Sequence, residues 1–151
     1  MLGIHSTINP GTGGSFKQLM DGHAWISMTR GGETQLYGLW PDRHPNVPDN
    51  GLDSDIRVGV EAGAAATASR YDQITPQQAA ELETRQTKNV KWASSNSCAS
   101  WAGDIVRAVT GHRLQSSDLF GLSDPPRRLV SSIDALEQQR DTSPENPLRP
   151  D

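Results

Sequence analysis

The chain holds a single cysteine, Cys98, in a setting suited to a nucleophile. Ala93, Ser94, Ser95, Asn96 and Ser97 precede it, all small and mostly polar. Beyond it Trp101, Ala102, Ile105, Val106 and Val109 recur at helical spacing, so a helix is predicted to start at Asn96-Ser97, with Gly111 as its C-terminal cap. Cys98 then lies in the first turn, where unpaired backbone N–H groups and the helix dipole favour a thiolate. Those N–H groups can also form part of an oxyanion hole. The competing reading is a small buried residue on the apolar stripe of Trp101 and Ile105.

A thiol nucleophile needs a base. His23 is the best placed of the four histidines, because it follows Gly22 and opens the strongest strand pattern, His23-Ala24-Trp25-Ile26-Ser27-Met28-Thr29. His5 is expected in an N-terminal arm, His44 in a proline-rich loop, and His112 just past a helix cap where it complements the dipole. Gly31-Gly32 is a favoured two-residue hairpin turn, with Thr34-Gln35-Leu36-Tyr37-Gly38-Leu39-Trp40 as the return strand. That register sets Arg30 against Glu33 and His23 against Trp40, and makes Asp42 the diagonal neighbour of His23 on the same face. Asp42 is therefore the expected third residue, orienting the imidazole, with Gln35, His44 and a backbone carbonyl as rivals. Trp25 shares the His23 face and either walls the site or packs in the core.

The elements that must carry these groups read as follows. The chain of 151 residues is expected to form one domain. Residues 1–20 are expected to be an arm, since Pro10-Gly11-Thr12-Gly13-Gly14 cannot hold a regular element; Phe16–Met20 could be one helical turn. The Pro-rich stretch 41–54 is a long loop. Asp55–Glu61 is expected as a third strand, burying Ile56, Val58 and Val60, and Ala68–Ile74 as a fourth. Thr75-Pro76-Gln77-Gln78 starts a helix with a capping box, running to about Thr87, and Pro125-Pro126 opens a last helix with Leu129, Ile133 and Leu136 on one stripe. Residues 141–151 are expected to be a disordered tail. A β-rich first half and a helical second half imply an α+β fold.

Net charge −4 and a pI near 5.5 argue against nucleic-acid binding. No apolar stretch is long enough to span a bilayer, and no signal-peptide pattern opens the chain, so synthesis in the cytoplasm is expected. One cysteine excludes an intrachain disulfide, no metal-ligand spacing appears, and Gly11–Gly14 lacks the Lys-Ser/Thr of a phosphate loop; no cofactor or metal is expected.

Gly22-His23-Ala24-Trp25-Ile26, then Tyr37-Gly38-Leu39-Trp40-Pro41, then Asn96-Ser97-Cys98-Ala99-Ser100-Trp101, resembles the circularly permuted branch of the NlpC/P60 papain-like superfamily, in which the His strand precedes the Cys helix. That branch includes bacterial amidases and peptidases, lecithin:retinol acyltransferase-like enzymes and PPPDE deubiquitinating peptidases. Its Asn-Cys-x-x-Phe type of motif is matched with one more residue between Asn96 and Cys98. The resemblance covers about residues 20–110. It implies an antiparallel sheet packed against helices, with Cys98 as nucleophile and His23 as base. It also implies a cysteine amidase or peptidase, with acyl transfer or a non-catalytic binding module as alternatives. The chain is further similar in size to the papain-like effector toxins of contact-dependent systems such as type VI secretion. That analogy implies peptidoglycan stem peptide as substrate, action in a target-cell periplasm and a cognate immunity protein as partner.

Overall fold

The computed structural model describes residues 1–8, 22–44, 46–116 and 125–150. They form an α+β domain with a five-stranded antiparallel sheet and three helices. The strands are β1 (Leu2–Ile8), β2 (Gly22–Arg30), β3 (Glu33–Leu39), β4 (Ile56–Val58) and β5 (Ala68–Asp72), ordered β4-β3-β2-β1-β5. The helices are α1 (Pro76–Gln86), α2 (Cys98–Thr110) and α3 (Pro125–Gln139).

The β2–β3 hairpin has the expected register, Arg30 opposite Glu33 and Trp25 opposite Gly38. Gly31 and Gly32 have φ of 59° and 85°, the left-handed conformation that a two-residue turn of this hand needs at both positions. Alternation along β2 divides the sheet into two faces. Ala24, Ile26 and Met28, with Leu2 and Ile4 of β1, join one core with Ala99, Ala102, Ile105 and Val106 of α2 and Leu129 and Ile133 of α3. His23, Trp25 and Ser27 take the opposite parity. Helix α1 packs on α2, and α2 and α3 pack on the strands. Both expected caps of α1 and α2 form: Thr75 and Gln78 make a capping box, and Gly111 closes α2 at φ 80°.

Three expectations about the chain are overturned. Residues 2–8 are not part of an arm but a strand between β2 and β5, because Leu2 and Ile4 alternate with Gly3 and His5 and are buried. The expectations for residues 9–20, including the turn at Phe16–Met20, lie outside the described residues. Residues 141–150 are not a disordered tail. The Thr142 hydroxyl oxygen accepts the Tyr71 N–H at 3.0 Å, and Leu148 exchanges backbone bonds with Tyr71 and Gln73 at 2.8 and 2.7 Å, covering the free edge of β5.

The third correction concerns the third strand, of whose three expected apolar residues only Ile56 is buried. Val58 and Val60 are exposed (63% and 42%), while Asp55, Arg57 and Glu61 are buried at 3–4%. Each buried charge has partners. Arg57 meets Asp42 at 2.8 Å; Asp55 accepts the Trp92 N–H at 2.6 Å and Lys91 Nζ at 3.1 Å. Paired charges tolerate burial where lone ones do not. The strand also stops at Val58, and Gly59 and Gly63 (φ 76° and 82°) carry the chain through turns that turn Glu61 inward.

Candidate active site

Helix α2 positions the thiol. Ser97 is its N-cap, its hydroxyl oxygen accepting the Ser100 N–H at 3.4 Å while its carbonyl accepts the Trp101 N–H at 2.9 Å. Cys98 is the first helical residue and is 8% exposed. The earliest N–H groups of a helix have no acceptor within it, so the backbone N–H of Cys98 is available to a developing oxyanion.

Strand β2 positions the imidazole. His23 Nε2 lies 2.8 Å from Glu61 Oε1. Cys98 is close enough to the same ring to act on it electrostatically. With Nε2 engaged by Glu61, the nitrogen left for the thiol is Nδ1. Burial alone would push the His23 pKa down. The hydrogen bond to Glu61 and the influence of Cys98 outweigh it and leave the pKa above 6.5. The arrangement favours the imidazolium form of His23.

Glu61 is fixed by more than the histidine. Its side chain is 2% exposed, and its Oε1 also accepts the Trp40 indole N–H at 2.6 Å. The Trp40 ring lies against His23, with centroids 3.8 Å apart and planes tilted by 31°. Trp40 thus holds the carboxylate with its N–H and covers the imidazole with its face. Gly38 makes the approach possible. A Cβ there would stand 2.8 Å from Glu61 Cδ and 2.9 Å from His23 Nε2. The rings continue on both sides: Trp25 stacks between His23 and His5 at 6.0 and 5.4 Å, and His44 meets the edge of Trp40 at 4.8 Å.

Cys98 is an electrostatic neighbour of His23, and Asp42 is not the group on His23. Its carboxylate joins Arg57 at 2.8 Å and Lys91 at 3.2 Å, both of which draw its pKa down, Arg57 most. The rivals are engaged elsewhere. Gln35 accepts the Tyr37 hydroxyl proton, and His44 Nδ1 accepts the Asn46 N–H at 3.2 Å. Burial and the charge of His23 lower the His44 pKa. The residue on His23 is Glu61. The signal for it was Gly59-Val60-Glu61-Ala62-Gly63, whose two glycines mark a turn rather than a strand running through Glu61.

His5 and His112 are also more than surface groups. His5 is buried in β1, with Nε2 2.8 Å from Ser27 Oγ and Nδ1 2.9 Å from Ser69 Oγ. His112 Nδ1 meets the buried Asp72 at 2.8 Å. Among the described residues no group of three His, Cys, Asp or Glu side chains converges to hold a metal ion, and no helix is long and apolar enough to cross a membrane. Comparisons with protein-family models, curated proteins and solved structures find no match to this chain.

Proposed function

We propose that the protein is a cysteine hydrolase that cleaves an amide bond through a thioester on Cys98. The observation that carries the reading is His23, bonded through Nε2 to the buried carboxylate of Glu61 at 2.8 Å with Cys98 as an electrostatic neighbour of the same ring. That is the order of parts a thiol nucleophile needs: nucleophile, base, and a group that orients the base.

In this mechanism His23 takes the thiol proton and the sulfur attacks the carbonyl carbon. The Cys98 backbone N–H stabilises the oxyanion. The tetrahedral intermediate collapses as His23 gives its proton to the departing amine, leaving a thioester. His23 then removes a proton from water, the resulting hydroxide attacks the thioester, and the thiol returns with the acid as second product. Glu61 fixes the ring orientation through its hydrogen bond to Nε2.

The finer reading is a papain-like fold of the permuted NlpC/P60 type. It is supported by the order of the His strand and Cys helix and by the antiparallel sheet packed on helices. By the same resemblance the substrate is a peptidoglycan stem peptide. The wider proposal is an effector toxin delivered to a target-cell periplasm and restrained by an immunity protein; its support is the similarity of size and site.

The test is the rate of Cys98 alkylation by iodoacetamide between pH 5 and 9, followed by hydrolysis of peptidoglycan fragments. Wild type is expected to react at pH 6 at least tenfold faster than His23→Ala, and Cys98→Ala is expected to fold but release no product. Equal alkylation of wild type and His23→Ala would make Cys98 a packing residue, and the protein a binding module.

A further inference from the structure

On the sheet face turned away from the helices lies a cleft of about 430 Å³. It is lined by His5, Trp25, Ser27, Ser69 and Tyr71 from the sheet and by Glu61 from the turn after β4. A cleft of this size with a few fixed polar groups is the form of a small-molecule site.

Its polar groups are built in. Ser27 and Ser69 hold the two nitrogens of His5 at 2.8 and 2.9 Å, and Gly3 leaves the room, since a Cβ there would stand 2.8 Å from His5 Nε2. Burial pushes the His5 pKa down to about 4, so the ring is neutral at pH 7. A neutral imidazole donates at one nitrogen and accepts at the other. One serine therefore accepts from His5 and keeps its own hydroxyl proton for a ligand.

Glu61 supplies the unmet demand. Its Oε1 takes both His23 and Trp40, while its Oε2 is buried without a hydrogen-bond partner. A carboxylate oxygen withdrawn from water calls for a donor, best a charged one. Trp25 and Tyr71 give the cleft aromatic walls against which an apolar body can lie. The Met1 ammonium, which also lines the cleft, is bonded to the Thr29 carbonyl at 2.9 Å. Thr29 is four residues along β2 from Trp25, roughly 13 Å away at the rise of an extended strand. It leaves Oε2 unserved.

We propose that this cleft binds a small ligand bearing a primary ammonium group, which donates to Glu61 Oε2 while its apolar body lies against Trp25 and Tyr71. Cys98 does not line the cleft, so the ligand does not occupy the thiol. The binding stands whether or not Cys98 is a nucleophile, and its test is independent of turnover.

The probe is benzylammonium, set against neutral benzyl alcohol of the same shape, each titrated into the full chain at pH 7 with 1H–15N spectra recorded. Benzylammonium is expected to give saturable shifts at the Trp25 indole and at Ser69 and Tyr71, with affinity at least tenfold above that of the alcohol. In Glu61→Gln, checked for folding by circular dichroism, that preference is expected to vanish. The proposal is overturned by equal affinity of the two probes for wild type, by shifts away from the cleft, or by no saturation, which would leave water on Oε2. A folded Glu61→Gln that keeps the preference overturns it as well. The amine–alcohol comparison is made within wild type, so a variant that misfolds does not decide the matter.

Discussion

Glu61 Oε1 lies 2.8 Å from His23 Nε2, a contact between residues 38 positions apart that joins the turn after β4 to the start of β2. Two donors, from His23 and Trp40, converge on one oxygen of a side chain almost removed from water. A carboxylate in that position sets the orientation of the imidazole more firmly than an exposed one, because screening is weak there.

Glu61 and Asp42 are thus separable by mutation. Glu61→Ala is expected to slow alkylation of Cys98 at pH 6 by roughly tenfold or more, the usual scale for loss of a charge-assisted hydrogen bond. Asp42→Asn is expected to leave that rate within about twofold of wild type, since its partners Arg57 and Lys91 lie outside the site. Iodoacetamide kinetics on the two variants check this. A larger loss in Asp42→Asn than in Glu61→Ala would overturn the assignment.

Gly38 gives a prediction about space. A methyl group there must displace the Glu61 carboxylate or the His23 ring, because its Cβ would fall 2.8 and 2.9 Å from their atoms. Gly38→Ala is expected to cost about 1–3 kcal/mol of stability and to slow Cys98 alkylation as Glu61→Ala does. Urea unfolding and alkylation rates measure the two effects. Unchanged values in both would show that the pair has slack that the packing does not suggest.

How much of this was legible in the sequence depends on the kind of signal. The Gly31-Gly32 turn fixes the hairpin register by local chemistry alone, and the register places Trp40 beside His23. The caps at Thr75, Ser97 and Gly111 are equally local. The pairing of Glu61 with His23 is not local. Alternation of Ile56, Val58 and Val60 with charged residues pointed to an apolar buried face, yet only Ile56 of the three is buried, beside Asp55, Arg57 and Glu61. Period-2 patterning reports which residues differ, and burial of the polar set follows only from partners distant in sequence, Asp42, Trp92 and His23. Leu2–Ile8 was missed for a related reason: a strand begun by two apolar residues next to a glycine-rich stretch looks like an arm until β2 and β5 flank it.

The pH dependence of stability separates the two buried histidines. His23 has a folded pKa above its ordinary 6.5, through Cys98 and Glu61, which overcome burial. Its contribution is full below pH 6.5 and is lost as pH rises through the higher folded value. His5 has the opposite sign. Burial lowers its pKa to about 4, so its contribution is full above 6.5 and is lost as pH falls toward 4, by roughly 3 kcal/mol. His5→Gln is expected to flatten the acid limb of a urea-derived stability profile between pH 6.5 and 4, and His23→Gln to flatten the limb above 6.5. Acid limbs of the same slope in wild type and His5→Gln would mean that His5 does not stay neutral in the fold.

The C-terminal segment gives the last test, because it binds a strand edge and leaves the candidate site alone. Thr142 and Leu148 between them take three backbone bonds along Tyr71–Gln73, and Glu137 Oε2 accepts the Thr142 N–H at 2.6 Å. Each such bond contributes about 0.5–1.5 kcal/mol net. Removal of residues 142–151 is expected to destabilise the domain by about 2–4 kcal/mol and to expose the outer edge of β5 to pairing with other chains. Cys98 alkylation per folded molecule is expected to stay at the wild-type rate, since among the described residues the hydrogen bonds and ion pairs of His23 and Glu61 involve none of the deleted ones. Urea unfolding, light scattering and alkylation check the three parts together. A truncated chain of full stability would show that the tail adds nothing to the sheet, and a stable one with a slowed thiol would mean that β5 is coupled to the site across β1.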